Sequence, residues 1–402
     1  MKKPSWMLKS VGLVAAASLL LTGCAAGNSG GADGTGGGGE PVEGDTIKIA
    51  ALLPLSGAAA NYGPIYQGGI EAYVEHVNEN GGINGKEIEL KVYDNGYDPA
   101  KSLASARKAV EEDDVFAFVS TPGTPVNDAV ARYLTEEGIP NLGIITGAPQ
   151  FNDPATYPGI TTFQLSYSTE PELIWNYLQE EQAGKKIGVL YQNDDFGKSF
   201  QTVFKDLAGD SIVSEQPYES SDSDVSSQIA ALRAAGAEVV VSFVLAKFAI
   251  LATRAMNDTG WDAPLIISSN ANDPAVLAEA GADALEGLIA GSSFPTLDDS
   301  NEAVAEYLEL MEKYSPSIPA GTSSMQTFGS TKLFMTALEA AGENPTREGL
   351  IEAVQNLSDV QGLPVIGEVS LSADNHDAIS CMAMTRYNAE MTFDFISDPI
   401  CA

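Results

Sequence analysis

KKIGVLYQNDDFGKSF, residues 185–200, carries the chain from an apolar strand into a helix. KIGVLYQ is short, β-rich and nearly all apolar, and NDDFG is the polar junction after it. The tripeptide Asp195-Phe196-Gly197 is also the string that holds magnesium in protein kinases. A kinase needs in addition a glycine-rich loop on an N-terminal sheet and a catalytic-loop His-Arg-Asp. No His-Arg-Asp occurs, and His76 and His376 are the only histidines. Phosphoryl transfer is therefore excluded, and the stretch is read as a strand-to-helix junction.

The same pattern repeats along the chain. Apolar runs TIKIAALLPLS, EIELKVYDN, VFAFVS, IPNLGII, EVVVSFVL and PLIISS alternate with segments of helical spacing such as QGGIEAYVEHVNEN, NDAVARYLTEEG and EPELIWNYLQEEQ. Such alternation, with strands apolar on both faces, predicts α/β architecture with doubly wound parallel sheets. Two similar cycles, roughly 46–165 and 166–290, predict two lobes. Two long helical segments, a helix at 346–357 and a terminal hairpin follow. They are too little for a third core and should return to the first two. Several crossings between lobes imply a hinge and a cleft.

In open α/β sheets a ligand lies outside the carboxyl ends of the strands. The junctions to inspect are then LSGAAANYG (55–63), FVSTPGTPVND (118–128), IITGAP (144–149), YQNDDFG (191–197), FVLAKF (243–248) and SSNANDP (268–274). They are rich in Ser, Thr, Gly, Asn and aromatics. Hydroxyls beside exposed helix N-termini suit a carboxylate.

The ends carry a second message. Lys2, Lys3 and Lys9 precede the apolar run VGLVAAASLLL (11–21), which is followed by Thr22-Gly23-Cys24. This is the pattern of a secretory signal over 1–23, too short to span a bilayer. Residues 25–45 are Gly-rich and polar and are expected to act as a tether that buries nothing. The formal net charge is −34. Removing 1–23 takes three lysines and no acid, so the mature chain carries about −37. Nucleic acid and anionic lipid headgroups are disfavoured partners. Cys381 and Cys401 flank two alternating segments around Asn388-Ala389-Glu390, a β-hairpin that brings them opposite each other. Export permits a disulfide there; two packed free thiols are the alternative.

Leu21-Thr22-Gly23-Cys24 resembles a lipoprotein lipobox, which implies lipidation (palmitate included) on Cys24 and anchoring at the outer face of the cytoplasmic membrane. Residues 46–402 resemble the type I solute-binding proteins of ABC importers, in the leucine/isoleucine/valine-binding branch. The resemblance rests on SGAAANYG, NENGGINGKEIELKVYDNGYDPAKS, STPGTPVNDAVARYL and KKIGVLYQNDDFGKSF, in that order. It implies two lobes, 46–165 with 293–376 and 166–292 with 377–402, joined by crossovers near 164–168, 291–295 and 374–378. It also implies a monomer that captures a small amino-acid-like or carboxylate solute and hands it to permease subunits, with no cofactor, metal or catalysis.

The resemblance also implies a pocket. Tyr62 and Phe196 would be aromatics facing the solute, and Ser120 would bind a carboxylate, with Thr121 or Thr124 as substitutes. Thr146, Gly147, Leu245 and Ser323 would complete the wall. Asp194 and Asp195 are expected as caps or solvent-facing groups. Amino-acid binders of this branch place a glutamate after the strand corresponding to PLIISS, where this chain has Ser269 or Asn270. Either Asp273 or another acid takes its place, or the solute has no ammonium. Both histidines are read as solvated, and no pair of His or Cys has metal-ligand spacing. A ligand-sensing module uncoupled from transport is the alternative function, and a secreted lipoprotein enzyme a more remote one.

Overall fold

A computed structural model describes residues 40–298 and 300–402. The expected signal peptide, Cys24 and the tether as far as residue 39 lie outside the described residues. The tether does not extend to residue 45 as expected. The Val42 N–H donates to the Pro345 carbonyl at 3.0 Å, and its side chain packs against the core.

The first sheet holds β1 (Thr46–Leu53), β2 (Glu87–Asp94), β3 (Ala117–Val119), β4 (Asn141–Ile144) and β5 (Ile160–Thr162). Its order is β2-β1-β3-β4-β5, all parallel. The second sheet holds β6 (Ile187–Gln192), β7 (Ile212–Tyr218), β8 (Val239–Phe243), β9 (Leu265–Ile267) and β10 (Ile289–Ser292) in the matching order β7-β6-β8-β9-β10. β11 (Cys381–Tyr387) then pairs antiparallel with β10 and carries β12 (Phe393–Phe395) and β13 (Ile400–Cys401). Each sheet thus has its switch point beside its first strand, at β1/β3 and at β6/β8, where a crevice opens at the carboxyl ends.

Apolar side chains on both faces of the central strands explain this burial. Ile49, Ala50, Ala51, Leu52 and Leu53 of β1 and Val239, Val240 and Val241 of β8 are all fully buried. β7 was not among the expected strands, and its sequence IVSEQPY explains why. It is an edge strand whose only buried residue is Tyr218, so it lacks the all-apolar signature of the interior strands. The helices start where caps allow. Asp98 accepts from the Lys101 N–H and Asp194 from the Gly197 N–H. Gly197 is required there, because a Cβ would lie 2.1 Å from the Gln192 carbonyl oxygen.

Helices Glu302–Tyr314, Thr322–Ala340 and Arg347–Val354 return to the first sheet. Thr322–Ala340 packs on helix Gly63–Glu79 so closely that a Cβ at Gly69 would sit 2.1 Å from the Ser324 carbonyl oxygen. Two chain crossings meet behind the cleft. The Thr162 N–H donates to the His376 carbonyl, and the Ala378 N–H donates back to the Thr162 carbonyl. Asp377 accepts from Thr162 Oγ1 at 2.8 Å and Asn152 Nδ2 at 2.9 Å, and burial raises its carboxyl above the ordinary range.

His376 is the residue whose expected exposure fails. It is fully buried at this crossing, with Nδ1 2.6 Å from the Ile160 carbonyl and Nε2 3.2 Å from Gln355 Nε2. A carbonyl only accepts, so Nδ1 carries the proton and Nε2 accepts from Gln355. Burial lowers its pKa, which holds the ring neutral. Its polar neighbours Asn375 and Asp377 gave the segment the look of a surface turn.

The terminal hairpin forms as expected. Cys401 lies opposite Cys381 in the β13/β11 register, and the two form a disulfide. A crosslink closing a loop of this size contributes about 2–4 kcal/mol, mainly by restricting the unfolded chain. Cys401→Ser should therefore lower the unfolding free energy by that amount, and with it the urea midpoint, under oxidising conditions. An unchanged midpoint would show the bridge to be energetically idle.

Candidate functional site

The two sets of carboxyl ends face one another around a buried cavity of about 40 Å³. The first sheet contributes Pro54, Ala59 and Tyr62 after β1, Tyr97 after β2, Gly123 and Thr124 after β3, and Ile145 after β4. The second contributes Phe196 after β6, Leu245 after β8, Ser269, Asn270 and Asn272 after β9, and Ser293 and Phe294 after β10. Gln164 and Tyr167 from the first crossover, and Thr322, Ser323 and Gln326 from the returning helix, close the remaining sides.

Tyr62 joins the two halves. Its hydroxyl accepts from the Ala246 N–H at 2.8 Å and points its proton at the Asn270 carbonyl, 3.4 Å away. The Ala246 N–H opens helix Ala246–Asp258 and has no intrahelical partner, so Tyr62 caps a helix belonging to the other sheet. Tyr66, one turn on, stacks on Tyr62 with centroids 5.5 Å apart. A second bond crosses beside it. Asp273, expected as a possible ammonium partner, instead caps helix Pro274–Leu277 and accepts from the Ser323 N–H at 2.8 Å.

Phe196 lines the cavity, edge-on to Tyr167 at 5.7 Å. The Tyr167 hydroxyl accepts from Asn270 Nδ2 at 3.1 Å, and the Tyr167 N–H donates to the Gly147 carbonyl at 2.7 Å. Burial raises the pKa of the Tyr167 hydroxyl to about 12. Thr146 and Gly147 serve the wall from behind, and neither lines the cavity. Asp194 caps its helix, as expected.

Ser120 and Thr121 do not reach the cavity either. Ser120 Oγ donates to Ser330 Oγ at 2.9 Å inside the first lobe, and Thr121 Oγ1 donates to Asn141 Oδ1 at 3.1 Å. The chain turns left-handed at Ser120, φ 52°, which swings its hydroxyl toward helix Thr322–Ala340. Of the hydroxyls expected at a carboxylate, Thr124 alone lines the cavity, bonded to Thr146 at 2.7 Å.

Ser269 does not stand alone after β9. Its N–H and Oγ donate to the two carboxylate oxygens of Glu170 at 2.7 and 2.6 Å, and Gln164 Nε2 donates to its Oγ at 3.1 Å. Glu170 is fully buried behind Ser269, and desolvation lifts its pKa to about 7 against those two bonds. Sequence reasoning missed Glu170, Tyr66, Tyr97, Tyr167, Gln164, Ser293 and Thr322. Tyr66 was within reach, since residues four apart share a helix face with Tyr62. Glu170 begins the amphipathic stretch EPELIWNYLQEEQ, where an acid looks like an ordinary first-turn residue.

The titration of Glu170 yields a prediction with a definite sign. Between about 4.5 and about 7 the folded chain keeps a proton that the unfolded chain has released. Stability therefore falls as pH rises through that window and levels above it, by on the order of 3 kcal/mol at most. Glu170→Gln should shrink the fall in melting temperature between pH 5 and pH 8. An equal fall in both proteins would contradict the raised pKa of the buried carboxyl.

Comparison with known proteins agrees with this geometry. The family described as periplasmic binding protein matches residues 46–391. The leucine-, isoleucine-, valine-, threonine- and alanine-binding protein of Pseudomonas aeruginosa is 26% identical over 313 residues, covering 74% of this chain and 79% of that protein. A fatty acid ABC transporter substrate-binding protein from Thermomonospora curvata superimposes with a TM-score of 0.81 at 23% identity, covering 91% and 95% of the two chains. A branched chain amino acid ABC transporter protein from Thermus thermophilus with bound valine gives 0.81 at 18% identity, covering 89% and 96%. With two like-ordered sheets facing across one cavity and a family match over most of its length, the chain belongs to the periplasmic binding proteins.

Proposed function

We propose that this protein is the extracytoplasmic solute receptor of an ABC importer. It takes a compact solute of branched-chain amino-acid size between its lobes, closes on it and presents the closed form to permease subunits. The observation that carries this reading is one buried cavity walled by junctions from both sheets, so that a solute inside touches both halves at once. Closure needs a ligand that favours the closed form, and contacts to both halves supply that difference. Hinge closure of periplasmic binding proteins is an established pattern.

The site requires no chemistry of its residues: they pack, orient and exclude water, and the protein acts as a monomeric carrier without a cofactor. Export through residues 1–23 and a lipid on Cys24 would keep so acidic a chain at the outer face of the cytoplasmic membrane, beside its permease.

Phe196→Ala should weaken solute binding by about 2 kcal/mol, roughly thirtyfold, as loss of a buried aromatic anchor does. Tyr62→Phe should cost about 1–3 kcal/mol of closure, because the Ala246 N–H loses its partner. Calorimetry checks both, and wild-type affinity in the two variants would refute the site. Cys24→Ala should release the protein from cells, whereas continued membrane retention would refute the anchor.

A further inference from the structure

The wall of the cavity contains no Asp, Glu, Lys, Arg or His. The two nearby acids are occupied elsewhere, Glu170 by Ser269 and Asp273 by the Ser323 and Ala275 N–H groups. The Thr146 hydroxyl after β4 is engaged by Thr124 Oγ1 at 2.7 Å and by the Ala148 N–H at 3.2 Å. A zwitterion enclosed here would bury an ammonium and a carboxylate with no opposite charge facing either, which costs several kcal/mol per ion.

Three polar atoms lining the cavity have a different character. Asn270 Oδ1, Ser293 Oγ and Thr322 Oγ1 are buried and make no hydrogen bond within the described chain. Ser293 is 1% exposed and Thr322 7%. Buried polar atoms are nearly always paired, and an unpaired one costs about 1–3 kcal/mol. Asn270 Oδ1 only accepts, so it calls for an N–H or O–H. The two hydroxyls both donate and accept, so they can pair with a carbonyl or with an N–H. Tyr62, Tyr66, Phe196 and Phe294 supply an apolar, aromatic enclosure for what remains.

We propose, building on the solute-receptor reading, that the solute is uncharged and carries a carboxamide: its N–H groups donate to Asn270 Oδ1, and its C=O accepts from Ser293 or Thr322. A carboxamide offers two donors and an acceptor without a charge, which matches the unpaired set in kind. Its apolar part is short and packs on the aromatic enclosure.

Three compounds with the same carbon skeleton separate the possibilities: 4-methylpentanamide, 4-methylpentanoate and leucine. Titrated calorimetrically into the full chain at pH 7.5, the amide should bind at least about tenfold tighter than either of the others. Leucine or the acid binding as tightly as the amide overturns the uncharged assignment while leaving solute capture intact. Heat from none of the three overturns the carboxamide assignment. Asn270→Asp places a carboxylate on the wall and should reverse the amide-to-leucine preference, with a melting temperature near wild type showing that the fold survives. An unchanged preference in a folded variant overturns the role of Asn270.

Discussion

The Tyr62 hydroxyl ends on the first peptide N–H of a helix that belongs to the opposite sheet. That donor has no partner within its own helix, so one side chain satisfies a group the other half cannot satisfy alone. The Ser323 N–H repeats the device in reverse, donating from the returning helix of the first lobe to Asp273 of the second. With these bonds made, the aromatic enclosure is continuous. With them broken, each half exposes a helix end and part of an apolar wall to water.

The position of the cavity follows from topology. Both sheets place their first strand beside the third in order, and both open their crevices at the carboxyl ends. Loops there are free to vary without disturbing β1 or β8, whose apolar residues hold the scaffold. The absence of charge from the wall is then a property of the loops, not of the fold. Solved structures whose names specify a branched chain amino acid transporter and a fatty acid transporter share this fold.

Much of this was legible in the chain. Apolar runs between helical segments marked the interior strands, because interior parallel strands are buried on both faces. The edge strand β7 escaped for the complementary reason. Tyr62, Thr124, Phe196, Leu245, Ser269, Asn270 and Ser323 were picked out through the family resemblance, and all line the cavity. Ser120 was picked out in the same way and does not, because one left-handed residue redirects its hydroxyl. His376 read as solvated from its polar neighbours, but a crossing made between residues more than two hundred apart buries it. Glu170 and the unpaired atoms of Ser293 and Thr322 depend on contacts of that long-range kind, which spacing along a chain does not encode.

Closure around a solute can be read at the two crossing bonds themselves. Ala246 and Ser323 lie in the first turns of their helices, so the partner across the cleft is their main protection against exchange with solvent. Amide hydrogen exchange at these two residues, measured with and without saturating 4-methylpentanamide, should slow markedly at both when the solute is present. Equal exchange rates in the two conditions would contradict closure of these lobes upon that solute.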